Sequence, residues 1–137
     1  MKYSVVDTSV VFKLFLAYGE DGLDEAWELL RGHRDGEILL VAPELGALEI
    51  ASVLRNLGVS EPIALDFLTV YRDLAIELMP ATPSRVRSAV SASFAHRISI
   101  YDAMFLALAQ ELDCELVSSD RKAFGTIEPH VARIRLI

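Results

Sequence analysis

The stretch YSVVDTSVVF at residues 3–12 sets one carboxylate, Asp7, between two apolar halves. The first half reads as a short strand, because valine's branched side chain suits a pleated surface. The second half runs on as VVFKLFLA, at helical length. Strand, aspartate, helix is the opening unit of an alternating α/β chain. Asp7 itself needs a partner, since an unpaired carboxylate among apolar neighbours is strongly unfavourable. Two partners are open to it: the backbone N–H groups of the helix that DTS would cap, or a cation.

Outward from this unit, EDGLDEAWELLRGHRDG (20–36) places Leu23, Ala26, Trp27 and Leu30 at helical spacing and stops at Gly36. EILLVA (37–42) reads as a buried strand. Pro43 reads as a first-turn proline opening PELGALEIASVLRNLG, with Ala47, Ile50, Leu54 and Leu57 as the apolar face and Gly58 as the stop. SEPIALDFLTVYRDL is a serine-capped helix, IELMP (76–80) a strand, and TPSRVRSAVSASFAH (82–96) a helix with Thr82 as cap and Pro83 at its first position. SIYDAMFLALAQEL (99–112) is the most apolar helix, followed by strand CELVSS (114–119), a short helix from DRKAF, and a terminal strand ARIRLI (132–137). Strands separated by helices imply crossovers. The expected fold class is therefore α/β: a three-layer α/β/α sandwich with a central, mainly parallel sheet, in one domain spanning 1–137.

A chain of 137 residues is long enough to bury its own core. Its 53% hydrophobic content leaves apolar surface for a partner, and oligomerisation is the default. The one cysteine, Cys114, excludes an internal disulfide and has no Cys/His company for zinc, which suits a reducing cytosol. Asp7 and Lys13 interrupt any signal-peptide core, and no run approaches the roughly 18–20 apolar residues of a membrane span, so the expected location is cytoplasmic. A net charge of −7 opposes global attraction to nucleic acid. Carboxylates gathered around a divalent cation nevertheless present much less negative charge than they formally carry.

In parallel α/β sheets ligands bind beyond the carboxyl ends of the strands. Asp7 follows strand YSVV, and Asp120 follows ELVSS. Asp102 stands immediately before seven apolar residues, on a helix that must be buried. Each acid alone is explicable as a cap or a first-turn charge facing a helix dipole. Together they form a set of hard oxygen ligands without histidine or cysteine, which suits Mg2+ or Mn2+. Glu49 is a fourth candidate, with Leu45, Gly46, Ser52 and Val53 one turn away, although Glu49, Ser52 and Asn56 also read as a solvated stripe. His33, His96 and His130 are scattered and read as surface or core residues.

VVDTSVVF, APELGALEIASVL, ISIYDAMFLALA and LVSSDRKAF, in that order and spacing, resemble the PIN-domain ribonucleases. The chain is similar to the single-domain toxins of the VapC type, from residue 3 to about residue 124. By this resemblance Asp7, Glu49, Asp102 and Asp120 match the family's acidic quartet. Ser118 matches a small hydroxyl residue that is more usually threonine, and Thr8 and Ser9 begin the helix after the first acid. The resemblance implies dependence on Mg2+ or Mn2+, endonucleolytic cleavage of RNA, a homodimer, and inhibition by a cognate antitoxin. On this reading Asp7 and Asp102 bind the principal ion, Asp120 assists, and Glu49 orients or deprotonates the attacking water. Phosphate contacts are sought among Lys13, Arg85, Arg87, Arg97, Arg121 and Lys122, with the last two ahead because they follow Asp120. Trp27, Leu30, Phe67 and Tyr71 are the expected anchors for an antitoxin or a second copy. Two alternatives bear on this reading. A PIN-like module could keep its acids and work by contact alone, whereas a haloacid-dehalogenase-like phosphatase would want a second aspartate where Ser9 stands.

Overall fold

The computed structural model describes residues 2–16, 21–128 and 132–137. Its elements in chain order are β1 (Lys2–Val6), α1 (Thr8–Leu16), α2 (Leu23–Arg34), β2 (Ile38–Pro43), α3 (Leu45–Asn56), α4 (Glu61–Asp73), β3 (Glu77–Met79), α5 (Pro83–His96), α6 (Ile100–Glu111), β4 (Glu115–Ser118), α7 (Arg121–Phe124) and β5 (Ile134–Leu136). The five strands form one sheet in the order β3-β2-β1-β4-β5, parallel throughout. The expected α/β/α sandwich is the observed one.

β1 lies at the centre, with Val5 opposite Val41 of β2 and Leu116 of β4. A parallel strand covered on both faces reads as a continuous apolar run rather than an alternating one, and Val5, Val41, Leu116 and Val117 are all fully buried. α6 lies across β1, β2 and β4 with α5 beside it, and α1 and α2 pack together against β4 and β2. Burial on every side explains the uninterrupted apolar sequence of α6, whose residues 103–109 are all buried.

Local chemistry sets the helix ends. Ser60 accepts the Ile63 N–H at 3.4 Å and Thr82 accepts the Arg85 N–H at 3.2 Å, each satisfying one orphan donor of a helix that opens with proline at its first or second position. Gly36 and Gly58 take φ of 77° and 75°, the left-handed conformation that stops α2 and α3. Thr82→Ala should cost about 1 kcal/mol and lower the melting temperature by about 3–5 °C in a thermal unfolding scan.

Several details differ from expectation. Pro43 closes β2 instead of opening α3: it stands opposite Met79, whose carbonyl accepts the Glu44 N–H at 2.8 Å. A proline is tolerated there because it sits at the last position of its strand. On α2 the buried residues are Ala26, Leu29 and Gly32, and Trp27 is 49% exposed. On α3 Gly46 joins Ile50 and Leu54 in the interior, and Leu57 is exposed. Phe67 and Tyr71 are buried core residues, so neither is a surface anchor. Phe67 is held by ring contacts to Phe12 and Phe15, with centroids 5.4 and 5.6 Å away. Among the described residues no helix is long and apolar enough to cross a membrane.

Candidate active site

Asp7 leaves β1 still in the sheet, its N–H donating to the Val117 carbonyl at 2.9 Å, while its own carbonyl accepts the Val10 N–H at 3.0 Å and starts α1. Its side chain is buried, 5% exposed, and is held by hydroxyls: Oδ2 accepts from Ser9 Oγ at 2.7 Å and from Ser118 Oγ at 2.8 Å. Each serine then uses its lone pairs on the next loop. Ser9 Oγ accepts the Ser119 N–H at 3.0 Å and Ser118 Oγ accepts the Asp120 N–H at 2.9 Å. A hydroxyl has one proton to give, and both protons go to Asp7, so the pair acts as a clamp between the first acid and the loop that carries Asp120.

The three aspartates answer the cap question differently. Asp120 is a cap: its Oδ1 accepts the Ala123 N–H at 3.0 Å and begins α7. Asp102 is not, because Ser99 caps α6 and accepts the Asp102 N–H at 3.0 Å. The Asp102 side chain thus stands in the first turn of α6, half-buried, with the capping role already filled. Asp7 uses one carboxylate oxygen, Oδ2, on the serine hydroxyls.

Glu49 lies on α3 with one carboxylate oxygen, Oε1, buried and without a hydrogen-bond partner among the described residues. Leaving a buried acceptor unsatisfied is unfavourable, and such atoms in native proteins call for an explanation. The electrostatics supply one. Burial pushes the Glu49 carboxyl up to about 7, and the charges of Asp7 and Asp102 add to the shift. Burial also raises Asp7, against the hydrogen bonds from Ser9 and Ser118 and with the charges of Asp102 and Asp120. Asp102 is raised by burial, opposed by Ser99 and reinforced by Asp120. Charge therefore couples Glu49 to Asp7 and Asp102, and Asp120 acts on both of those aspartates, across α3, α6 and the ends of β1 and β4.

Such a set fits a hard divalent cation in its chemistry: oxygen donors only, an excess of negative charge, and an orphaned acceptor. As the side chains stand, no three described His, Cys, Asp or Glu residues converge closely enough to hold an ion between them.

The cations fall out unevenly. Lys13 is buried, and its Nζ donates to the Asp21 carbonyl, so its charge is committed inside the fold instead of facing a phosphate. Arg85 is held by Glu111 and by the Pro80 carbonyl. Arg87, Arg97 and Lys122 are exposed, and Arg121 is exposed with a 3.3 Å bond to the Ile137 carbonyl. His33 is structural: its Nδ1 accepts the Leu40 N–H and its Nε2 lies 3.1 Å from the Leu74 and Ala75 carbonyls. His130 lies outside the described residues. Thr8 opens α1, and its methyl faces Gly46 of α3. Two neighbours of the site were not anticipated. Ser99 was signalled by Ser-x-x-Asp before an apolar run, a capping pattern. Tyr71, whose phenol is pushed up to about 12 by burial and by the Glu49 charge, carries no local signal.

Comparison with solved structures returns the same fold. A toxin-antitoxin complex from Klebsiella pneumoniae is 15% identical, with 96% of this chain and 95% of that chain covered and a TM-score of 0.66. VapBC2 from Rickettsia felis, bound to a DNA fragment from its promoter, is 12% identical over 98% of both chains, with a TM-score of 0.70. VapC20 from Mycobacterium tuberculosis, a toxin that cleaves the sarcin-ricin loop, is 18% identical over 91% of this chain and 97% of that one, with a TM-score of 0.66. No curated protein sequence matches the chain. The model of the PIN domain family matches residues 4–127, from the first strand past the last of the four acids, and the chain belongs to that family.

Proposed function

We propose that this protein is a metal-dependent endoribonuclease that hydrolyses RNA phosphodiester bonds, the toxin of a type II toxin-antitoxin pair. One observation carries the nuclease reading. Glu49, its Oε1 buried and unpartnered, sits in the field of Asp7 and Asp102 with its carboxyl pushed up to about 7. A base poised near neutral pH is suited to taking a proton from an attacking water.

When bound, Mg2+ or Mn2+ supplies Lewis-acid activation and neutralises the charge that builds on the phosphoryl oxygens. Asp7 and Asp102 are the residues that hold it. Asp7 is fixed for that task by Ser9 and Ser118, and Asp102 by the Ser99 cap. Asp120 supports from the start of α7, where Ser118 orients its backbone. Glu49 receives the proton. Arg121 and Lys122, next to Asp120 in sequence and exposed, meet the RNA phosphates, which position the strand without reading its sequence.

The toxin reading is supported by the solved structures that share this fold, among them a toxin-antitoxin complex and a toxin that cleaves the sarcin-ricin loop. An antitoxin and a second copy of this chain are the partners, and the protein acts in the cytoplasm. Phe94 at 81% and Leu48 at 74% exposure supply apolar surface for such contacts, in place of the buried Phe67 and Tyr71. The test is cleavage of labelled RNA by the purified chain. Cutting with Mg2+ or Mn2+ and none in EDTA is the expected result, and undiminished cutting in EDTA would remove the mechanism.

A further inference from the structure

α6 is buried from residue 103 to residue 109 and comes to the surface at its first turn, where Asp102 stands. Tyr101, immediately before that acid, is 64% exposed. The turn that leads to it is fastened on both sides: Ser93 Oγ donates to the Ile98 carbonyl at 2.6 Å, and Ser99 accepts the Asp102 N–H at 3.0 Å. Arg97, within this turn, closes α5 at φ 57° and ψ 43°, the left-handed region in which glycine is the ordinary residue. Its side chain is exposed. Between Glu77 and Asp102 the sequence has no acid, while it has Arg85, Arg87, His96 and Arg97. Glu111 pairs with Arg85, but among the described residues no acid pairs with Arg87 or Arg97. A chain of net charge −7 thus keeps an acid-free, cationic stretch with an open aromatic ring beside one of its acids.

We infer that the α5–α6 turn is a clamp for the RNA strand: Tyr101 stacks on an unpaired base next to the bond that is cut, and Arg97 holds a phosphate of the same strand. The inference rests on the nuclease reading for the bond that is cut, and on exposure and charge for the two contacts. Cations that take phosphates beside a ring that takes a base are the means by which proteins hold single-stranded nucleic acid. A second copy of the chain suits this face less well. A two-fold interface sets the same patch against itself, so two acid-free cationic stretches would meet with no acid between them. The clamp also accounts for an arginine in a backbone conformation that favours glycine, since strain of this kind is retained where a side chain is needed. Asp102 lies between this turn and the cations that follow Asp120, because the two aspartates feel each other's charge.

The experiment follows binding of the full chain to a fluorophore-labelled, randomised single-stranded RNA by fluorescence anisotropy in EDTA, and cleavage of the same RNA in Mg2+. Tyr101→Ala should weaken binding about 5- to 150-fold, whereas Tyr101→Phe, which keeps the ring face, should stay within about twofold of wild type. Binding of a blunt RNA duplex should be the same in Tyr101→Ala and wild type, because paired bases are stacked on one another. Arg97→Gly removes the cation and suits the backbone, so the slope of log Kd against log salt should become shallower by about 0.7 with no fall in melting temperature. The same losses should appear in kcat/KM for cleavage. Wild-type binding and kcat/KM in Tyr101→Ala, an equal loss in Tyr101→Phe, or an equal loss on the duplex would overturn the stacking. An unchanged salt slope in Arg97→Gly would overturn the phosphate contact. A wild type that binds RNA with these dependences and cuts nothing would end the nuclease reading and uphold the clamp, and one that neither binds nor cuts would end both. Conversion of a dimer to a monomer in Tyr101→Ala, with RNA binding intact, would give the face to a second copy instead.

Discussion

Glu49→Gln should lower kcat for RNA cleavage by about 100- to 10,000-fold, the range that removal of a general base produces, while KM changes little. Gln has the shape of Glu but cannot take a proton, so the substitution removes the chemistry and leaves the packing of α3 in place. The acid limb of the pH–rate profile should vanish with it. In the metal-free chain the Glu49 carboxyl releases its proton at about 7, and a cation held nearby lowers that value, so wild-type kcat should rise with pH up to neutrality and then level. Asp102→Asn should fail in a different way. It weakens the hold on the cation, so part of its loss should be recovered by raising Mg2+, whereas the loss in Glu49→Gln should not. Steady-state kinetics across pH and Mg2+ concentration distinguish the two. A Glu49→Gln chain with wild-type kcat would show that the proton goes elsewhere.

The sequence carried the alternation of strands and helices because that information is local. Serine or threonine before a proline-led helix and glycine after one are determined within a few residues, and Ser60, Thr82, Gly36 and Gly58 all behave as read. Apolar periodicity was less decisive. Phe67 and Tyr71 read as possible anchors because α4 has apolar residues on more than one face. The choice of buried face comes from Phe12 and Phe15 of α1, more than 50 residues away in sequence. Pro43 was misassigned for a similar reason. A proline suits both the first turn of a helix and the end of a strand, and here the pairing with Met79 decides.

At the site, positions were legible and relationships were not. Strand ends announced Asp7 and Asp120, and the apolar run after Asp102 announced a buried helix. Which acids were caps depended on whether another residue had already filled the role. Ser99 does so for Asp102, and the Ser-x-x-Asp spacing, although a capping pattern, leaves open which of the two residues is the cap. Glu49 was the hardest, because its neighbours at helical spacing are small and apolar, and a solvated stripe reads the same way. Ser52 and Asn56 do stay exposed, and only the packing of α3 against α1 and α4 sets Glu49 apart from them, half-buried, toward Asp7 and Tyr71.

The second large effect is on stability, and its sign is opposite to that of ordinary salt-bridged carboxylates. In the unfolded chain Glu49 gives up its proton near 4.5, whereas in the folded metal-free chain it keeps it to about 7. Between those values the native state binds more protons than the unfolded one, so stability falls as pH rises through the interval. Below it both states are protonated and the penalty is absent, while above it the penalty is complete. Asp7 and Asp102 are raised as well and act in the same direction. Allowing for the partial exposure of the Glu49 side chain, its share is about 1–3 kcal/mol at pH 8. In EDTA, Glu49→Gln should therefore melt several degrees above wild type at pH 8, and the advantage should shrink toward zero as the pH is lowered to 5. Millimolar Mg2+ should reverse the comparison. A cation at about 100 times its dissociation constant adds roughly 2.7 kcal/mol to a chain that can hold it, and it does so by compensating the repulsion that Glu49→Gln has already relieved. The same increment in wild type and in Asp102→Asn would mean that the ion binds away from these acids. An advantage for Glu49→Gln that ignores pH would mean that Glu49 is not strained by charge at all, and that its buried oxygen has a structural role unconnected with catalysis.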